Sequence, residues 1–289
     1  MPSIKKAAVI GGDERSCICA NMFLQNGTEC AVYGLEKSKN GCCATRCVTI
    51  DDALCGSDIL ILPLPALDGK YIHMPLSDKK VTINDIAKHI PPETIVFSGT
   101  KDRNLYSVLK NRIVCFSEDE IFQISGSIST SEGALKTAIG KTGKTILHSD
   151  ILVCGNGRIG KYLSSVLKAL GANVYVSARK DTDLALIDAK GCIPVHTTKI
   201  KNSSVAFDII FNTVPHMIFD RSVLENLQGE PIIIELASKP YGIDFETAET
   251  LGIKVIKAHG LPGAVAPADA GKAMYESIIR LLDGMEAEI

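Results

Sequence analysis

The run Asp150-Ile-Leu-Val-Cys-Gly-Asn-Gly-Arg-Ile-Gly-Lys161 limits the fold more than any other stretch of this chain. Its apolar residues Ile151, Leu152, Val153 and Cys154 read as a buried strand. The strand meets Gly155-x-Gly157-x-x-Gly160, and Tyr162, Leu163, Val166, Leu167 and Leu170 follow at helical spacing, closed by Gly171. Strand, glycine turn and helix in that order form a dinucleotide-binding fingerprint. Gly155 permits the tight turn, Gly157 lets a pyrophosphate approach the backbone, and Gly160 lets helix and strand pack closely. Arg158 and Ile159 open the helix, whose free N–H groups and positive dipole end suit phosphate. A second strand, Asn173–Ala178, follows at once.

The residues after that second strand bear on the cofactor. A site for NAD carries an acidic residue about 20 positions beyond the glycines, on the ribose 2′-hydroxyl. Here the positions are Ser177, Ala178, Arg179 and Lys180. A hydroxyl and a guanidinium complement a 2′-phosphate, which a carboxylate would repel. The expected cofactor is therefore NADP, although Asp181 and Asp183 would restore NAD use if the strand ended late.

The first half repeats the same architecture. Lys6–Gly11 is a strand ending in glycine, Cys17–Gln25 a helix and Glu29–Tyr33 a second strand. Asp58–Pro65 lines up with Asp208–Pro215, Thr94–Thr100 with Pro231–Ser238, and Ile113–Ser117 with Lys254–Ala258. This order predicts an α/β protein of two doubly wound Rossmann-like domains with a cleft between them. The expected division is 1–127 plus 268–289 for the substrate and catalytic domain, and 128–267 for the NADP-binding domain. The first glycine turn, Gly11-Gly12-Asp13-Glu14-Arg15, lacks the third glycine and puts two carboxylates where phosphates would sit. It should not bind a dinucleotide, which leaves that half for the substrate.

Residues 77–92 read as an insertion with a short helix after Thr82-Ile-Asn84. Residues 118–131 read as a link between the domains. Thr130 or Ser131 then caps a helix over 131–140, with Glu132 in its first turn. The tail Pro267–Leu282 is helical and should cross back onto the first domain.

Composition narrows the functional classes. A net charge of −2 over 289 residues argues against a nucleic-acid partner. No apolar run reaches the length of a membrane span. The N-terminus is too short for a signal peptide before its first strand, so a cytoplasmic protein is expected. Ten cysteines are present, but Cys42-Cys43-x-x-x-Cys47 lacks paired C-x-x-C spacing and a nearby histidine. They read as free thiols, and no metal is expected.

Ligands gather at the carboxyl ends of parallel strands. The candidates there are Arg15, Lys101 and Arg103 as carboxylate clamps, Asn212-Thr213-Val214-Pro215 and Ser238 beside the cofactor, and His259 as an acid or base. No Ser–His–Asp or Cys–His arrangement stands at a recognisable spacing, so acyl transfer has no support.

Several motifs carry a family resemblance: Ile10-Gly-Gly-Asp13 with Arg15, Thr130-Ser-Glu-Gly-Ala134, Gly155-Asn-Gly-Arg-Ile-Gly160, Ala178-Arg179, Asn212-Thr-Val-Pro215, Leu236-Ala-Ser238 and Gly260-Leu-Pro-Gly-x-x-Ala-Pro267. On these the chain resembles the dipicolinate synthase A-subunit family. Its broader architecture is similar to the formate/glycerate and alanine dehydrogenase type. The resemblance implies oxidation of dihydrodipicolinate to dipicolinate with NADP during spore formation, in the mother-cell cytoplasm. It also implies that the flavoprotein-like B-subunit of dipicolinate synthase is a partner, and a homodimer stays open. The Cys42–Cys47 stretch is not part of the family's pattern.

A dicarboxylate needs cations or N–H donors at two ends. Arg15 and the helix start at Thr130 and Ser131 could supply them. Glu132 or His259 would take the ring proton. Two other readings stay open: another 2-hydroxyacid or amino-acid dehydrogenase of this architecture, and a non-catalytic NADP-binding regulatory subunit.

Overall fold

Apolar runs of four or five residues, buried on both sides, become parallel strands rather than half-exposed ones. The computed structural model describes residues 4–39 and 41–286. The chain divides into two compact units, Met1–Gly126 with Ala266–Ile289, and Ser127–Val265.

The strands of the first unit are β1 (Lys6–Ile10), β2 (Glu29–Tyr33), β3 (Thr45–Arg46), β4 (Ile59–Ile61), β5 (Leu67–Asp68), β6 (Tyr71–Ile72), β7 (Ile95–Ser98) and β8 (Ile113–Cys115). Six of them form a parallel sheet in the order β3-β2-β1-β4-β7-β8, while β5 and β6 form a separate antiparallel hairpin. Period-two alternation decides the layers. Ala7, Val9, Ile59 and Ile61 face one core with Phe23 and Phe97, whereas Ala8, Ile10, Leu60 and Leu62 face the other with Leu54 and Ile86. Each large apolar side chain buried in this way contributes roughly 1.5–3 kcal/mol.

Helices α1 (Glu14–Gln25), α2 (Ile50–Leu54), α3 (Ile83–Ala87) and α4 (Arg103–Val108) cover this sheet. The short helix α3 starts where Thr82 and Asp85 form a capping box. The hairpin before it was not legible in the sequence.

The expected link over 118–131, with a helix starting at Thr130 or Ser131, is corrected. One 23-residue helix, α5, runs from Glu120 to Thr142. Thr130, Ser131 and Glu132 lie in its middle, where backbone N–H groups belong to the helix and offer no anion site. Small residues do not break it because Ser127, Ser129, Ser131, Gly133 and Ala134 are buried. Ser131 Oγ donates to the Ser127 carbonyl at 2.8 Å, which satisfies the hydroxyl inside the helix.

The second unit repeats the sheet with β9 (Asp150–Cys154), β10 (Asn173–Ala178), β11 (Ile193–His196), β12 (Ile209–Asn212), β13 (Ile232–Glu235) and β14 (Val255–Lys257). Their order is β11-β10-β9-β12-β13-β14, all parallel. Helices α6 (Arg158–Ala169), α7 (Asp181–Ala189), α8 (Arg221–Leu224), α9 (Phe245–Thr250) and α10 (Leu261–Val265) accompany it. The order reverses between β9 and β12, the switch point at which such folds hold ligands.

The tail helix α11 (Pro267–Glu286) packs on the first unit, as its sequence pattern predicts. Tyr275 meets Phe23 of α1 edge to face at 4.8 Å. Gly271 makes the close approach feasible, because a Cβ there would lie 2.6 Å from Ile18 Cβ and 2.8 Å from the Arg15 carbonyl.

Candidate functional site

The glycine turn after β9 has the geometry its spacing predicts. Gly155 sits at φ +99°, and a Cβ on it would reach Thr213 Oγ1 at 2.6 Å and Val214 Cγ2 at 2.8 Å. A Cβ on Gly160 would come within 2.0 Å of the Gly155 carbonyl oxygen, so only glycine lets α6 pack here. Gly157 is the N-cap of α6, with no side chain over the helix end and open space where its Cβ would be. The first N–H groups of α6 therefore face outward, beside exposed Arg158 and half-buried Ile159.

A cavity of about 440 Å³ opens over this turn, bounded by Gly155, Gly157, Arg179, Thr213 and Pro215. Thr213 Oγ1 donates to the Cys154 carbonyl at 2.7 Å, fixing the wall opposite the glycines. Val214, Pro215 and His216 continue that wall.

At the far end of the cavity β10 stops at Ala178, so Arg179 and Lys180 take the position where an acidic ribose ligand would stand. Asp181 begins α7, and Asp183 is turned toward Asn156, 3.5 Å from its Nδ2. Ser177 corrects a sequence expectation. Its residue borders the cavity, but its Oγ is shut from solvent beside the Cys154 thiol, its register partner. The side chain alternates to the face opposite Val176 and Ala178, where its hydroxyl is closed off and does not reach a phosphate. Thr197, which sequence reasoning missed, borders the same end. It follows edge strand β11, whose Pro194 and exposed residues hid the strand pattern. His196 donates from Nε2 to the Arg179 carbonyl at 3.2 Å and so ties that edge to the Arg179 end of the cavity.

Asn212 is a second correction. It is fully buried and absent from the cavity wall. Its Nδ2 donates to Glu235 Oε1 and Oε2 at 2.9 and 3.0 Å and to the Val214 carbonyl at 3.1 Å. Burial pushes the Glu235 carboxyl above its ordinary value, against the N–H groups of Asn212, Gly242 and Ala237 that favour its charged form.

Ser238 does not border the cavity either. It lies exposed at the turn before the cis Lys239–Pro240 bond, its carbonyl accepting from Tyr241 N at 3.0 Å. His259 lies against the same turn. Its Nε2 is 2.9 Å from the Ala237 carbonyl, and its ring stacks on Tyr241 at 5.2 Å.

In the first unit, Arg15 is not a free clamp. Its Nε and Nη2 hold Asp13 Oδ1 and Oδ2 at 2.9 and 2.7 Å, and Nη2 also donates to the Leu64 carbonyl. Burial opposes the Asp13 charge, but Arg15 holds its carboxyl below the usual aspartate value. Glu14 turns away to Ser38 Oγ and Lys39 N, both at 2.8 Å. The first unit also fills its own glycine turn. Gly12 N donates to the His73 carbonyl at 2.8 Å, and Met74 Cε would lie 2.0 Å from a Cβ on Gly34. Lys101 pairs with Glu118 at 2.6 Å, Arg103 is exposed at the start of α4, and Glu132 is exposed on α5.

All ten cysteines are free thiols. Among the described residues no group of three or more His, Cys, Asp or Glu is arranged to hold a metal. No described helix is long and apolar enough to cross a membrane.

The family model for the N-terminal domain of the dipicolinate synthase A-subunit matches residues 6–116. The dipicolinate synthase A-subunit of Bacillus subtilis (strain 168) is 34% identical over 289 residues, covering 98% of this chain and 97% of that protein. The chain belongs to the dipicolinate synthase A-subunit family. The crystal structure of the B. subtilis protein matches with a TM-score of 0.87 at 34% identity, over 100% of this chain and 99% of that one. The A-subunit structure from Bacillus halodurans matches with a TM-score of 0.87 at 30% identity, over 96% and 97% of the two chains. A transhydrogenase from Sinorhizobium meliloti, at 13% identity and a TM-score of 0.70 over 96% and 94%, shares the fold alone. The family resemblance carried by the motifs is thus correct, and the α/β fold is that of dehydrogenases. The relatives' names mark each of them as one subunit of a synthase.

Proposed function

We propose that this chain oxidises dihydrodipicolinate to dipicolinate with NADP, as the A-subunit of a dipicolinate synthase in the mother-cell cytoplasm of a sporulating bacterium. The observation that carries this reading is the open glycine cradle at α6 ending on Arg179 and Lys180, in a chain that matches A-subunit relatives over nearly its whole length. The cradle fits a dinucleotide, since Gly155 and Gly160 have no room for side chains and Gly157 leaves the helix end uncovered.

In this reading the second unit, Ser127–Val265, holds the cofactor. The N–H groups at Arg158 and Ile159 receive the pyrophosphate, and Arg179 with Lys180 receives the 2′-phosphate. Thr213, Val214 and Pro215 wall the nicotinamide side. The bound cofactor would supply the hydride acceptor. The first unit, Met1–Gly126 with Ala266–Ile289, holds the substrate, because its own glycine turn is filled by Asp13, His73 and Met74.

Aromatisation removes one hydride and one proton from the ring. His259 is the proton acceptor we assign. A carbonyl can only accept, so Nε2 carries the hydrogen toward Ala237 and Nδ1 keeps a lone pair. Glu132, exposed on α5, is the second candidate. Arg15 keeps its remaining N–H groups for a substrate carboxylate while Asp13 orients the guanidinium. The expected partner is the B-subunit of dipicolinate synthase.

The test is NADPH formation from freshly made dihydrodipicolinate, with and without the B-subunit. Turnover with NADP supports the reading. Protein that binds NADP yet forms neither NADPH nor dipicolinate under either condition overturns it.

A further inference from the structure

Glu235 ends β13 with its carboxylate fully buried, and the partners it holds are N–H groups: Asn212 Nδ2, Ala237 N at 2.9 Å and Gly242 N at 3.1 Å. Only a group that accepts at both oxygens and donates nothing suits that set. An apolar side chain would leave these donors unpaired, and glutamine would point its own NH₂ at one of them.

Two loops depend on this acceptor. Asn212 passes the contact to Val214, accepting from its N–H at 3.2 Å and donating to its carbonyl, so Glu235 braces the Thr213–Pro215 wall. Gly242 comes so close that a Cβ would meet Asn212 Nδ2 at 2.3 Å and the Val214 carbonyl at 2.8 Å. On the other side, Ala237 is pinned through both of its backbone groups. Its N–H goes to Glu235, and its carbonyl receives His259 Nε2–H. Tyr241, between these points, is held at φ +69°, a left-handed conformation that bulky residues seldom adopt. That conformation keeps its ring stacked on His259 at an interplanar angle of 28°.

We propose that Glu235 is a positioning residue for the reaction: through Ala237 it holds His259 in its Nε2–H tautomer, with Nδ1 as the proton acceptor, and through Asn212 it braces the nicotinamide wall. This rests on His259 being the base.

The experiment follows His259 in the full chain by ring ¹⁵N NMR at neutral pH, and measures kcat and KM in Glu235→Gln, His259→Gln and the double variant. In the unaltered protein the spectrum should show the Nε2–H tautomer. A Nδ1–H tautomer there overturns the proposal without any variant. Glu235→Gln should mix the tautomers and lower kcat by about 10- to 100-fold, with a smaller rise in KM for NADP. The double variant should have a kcat no lower than that of His259→Gln, because Glu235 acts on proton transfer through that ring, while it keeps the rise in KM for NADP that comes through Asn212. Additive losses, or an unchanged tautomer and kcat in Glu235→Gln, overturn the proposal while leaving His259 as base. Full kcat in His259→Gln removes the base assignment itself, and the proposal with it.

Discussion

Arg15 grips Asp13 in a two-point fork, Nε to Oδ1 at 2.9 Å and Nη2 to Oδ2 at 2.7 Å, at the head of α1. The same Asp13 carboxylate accepts from the Arg15 backbone N–H at 3.0 Å as the helix N-cap. The anion position of the first glycine turn is thus filled by the chain itself, and the guanidinium of Arg15 is oriented there.

Asp13→Asn keeps a good helix cap but leaves Arg15 without its counter-charge, and should therefore cost stability on the order of 2 kcal/mol. The pH dependence has a definite sign. Arg15 lowers the Asp13 carboxyl below 3.8 in the folded state, so its contribution is present above that value and lost as pH falls through the lower, folded one. Urea unfolding over a pH series should show a smaller acid-side loss in Asp13→Asn than in the parent.

Of the three glycines in the turn after β9, the two that face backbone or side chain differ from the one that faces open space. Gly160→Ala would press a Cβ to 2.0 Å from a backbone carbonyl, displacing α6 and destabilising by about 1–3 kcal/mol. Gly157→Ala has nothing within 4 Å and should keep the melting temperature, yet weaken nucleotide binding by covering the helix end. Thermal unfolding with and without NADP separates the two effects.

Arg179 should carry the preference for NADP. Arg179→Asp should weaken NADP by roughly 2–3 kcal/mol and leave NAD much less affected, because a guanidinium to phosphate contact is replaced by repulsion. Titrating both oxidised cofactors measures this, and equal losses for the two would refute it.

Ser177→Ala should leave NADP affinity unchanged, since the hydroxyl is closed off beside Cys154. A large loss in the same titration would mean that the serine turns outward on binding.

Local pattern was enough for the elements. Continuous apolar runs such as Ile151–Cys154 and Ile59–Leu62 announced strands buried on both faces, and the glycine spacing announced the turn, because each depends on residues adjacent in sequence. The repeated order of strands in the two halves, the tail helix crossing back onto the first unit, and the family itself were also legible. Ser127 to Ser131 misled, since serine is a helix cap by propensity but a helix interior when packing buries it.

The sequence by itself determined that this chain builds two doubly wound sheets and presents one complete Gly155-x-Gly157-x-x-Gly160 turn. Tertiary structure alone decided which polar residues are spent on each other. Ser177 points inward because of its register against Cys154, Asn212 is taken by Glu235 at a separation of 23 residues, and Arg15 is taken by Asp13 and Leu64. Periodicity reports which face a residue occupies relative to its neighbours in the chain. The partner of a buried polar group is set by strand pairing and loop approach over long separations, and no local pattern encodes it.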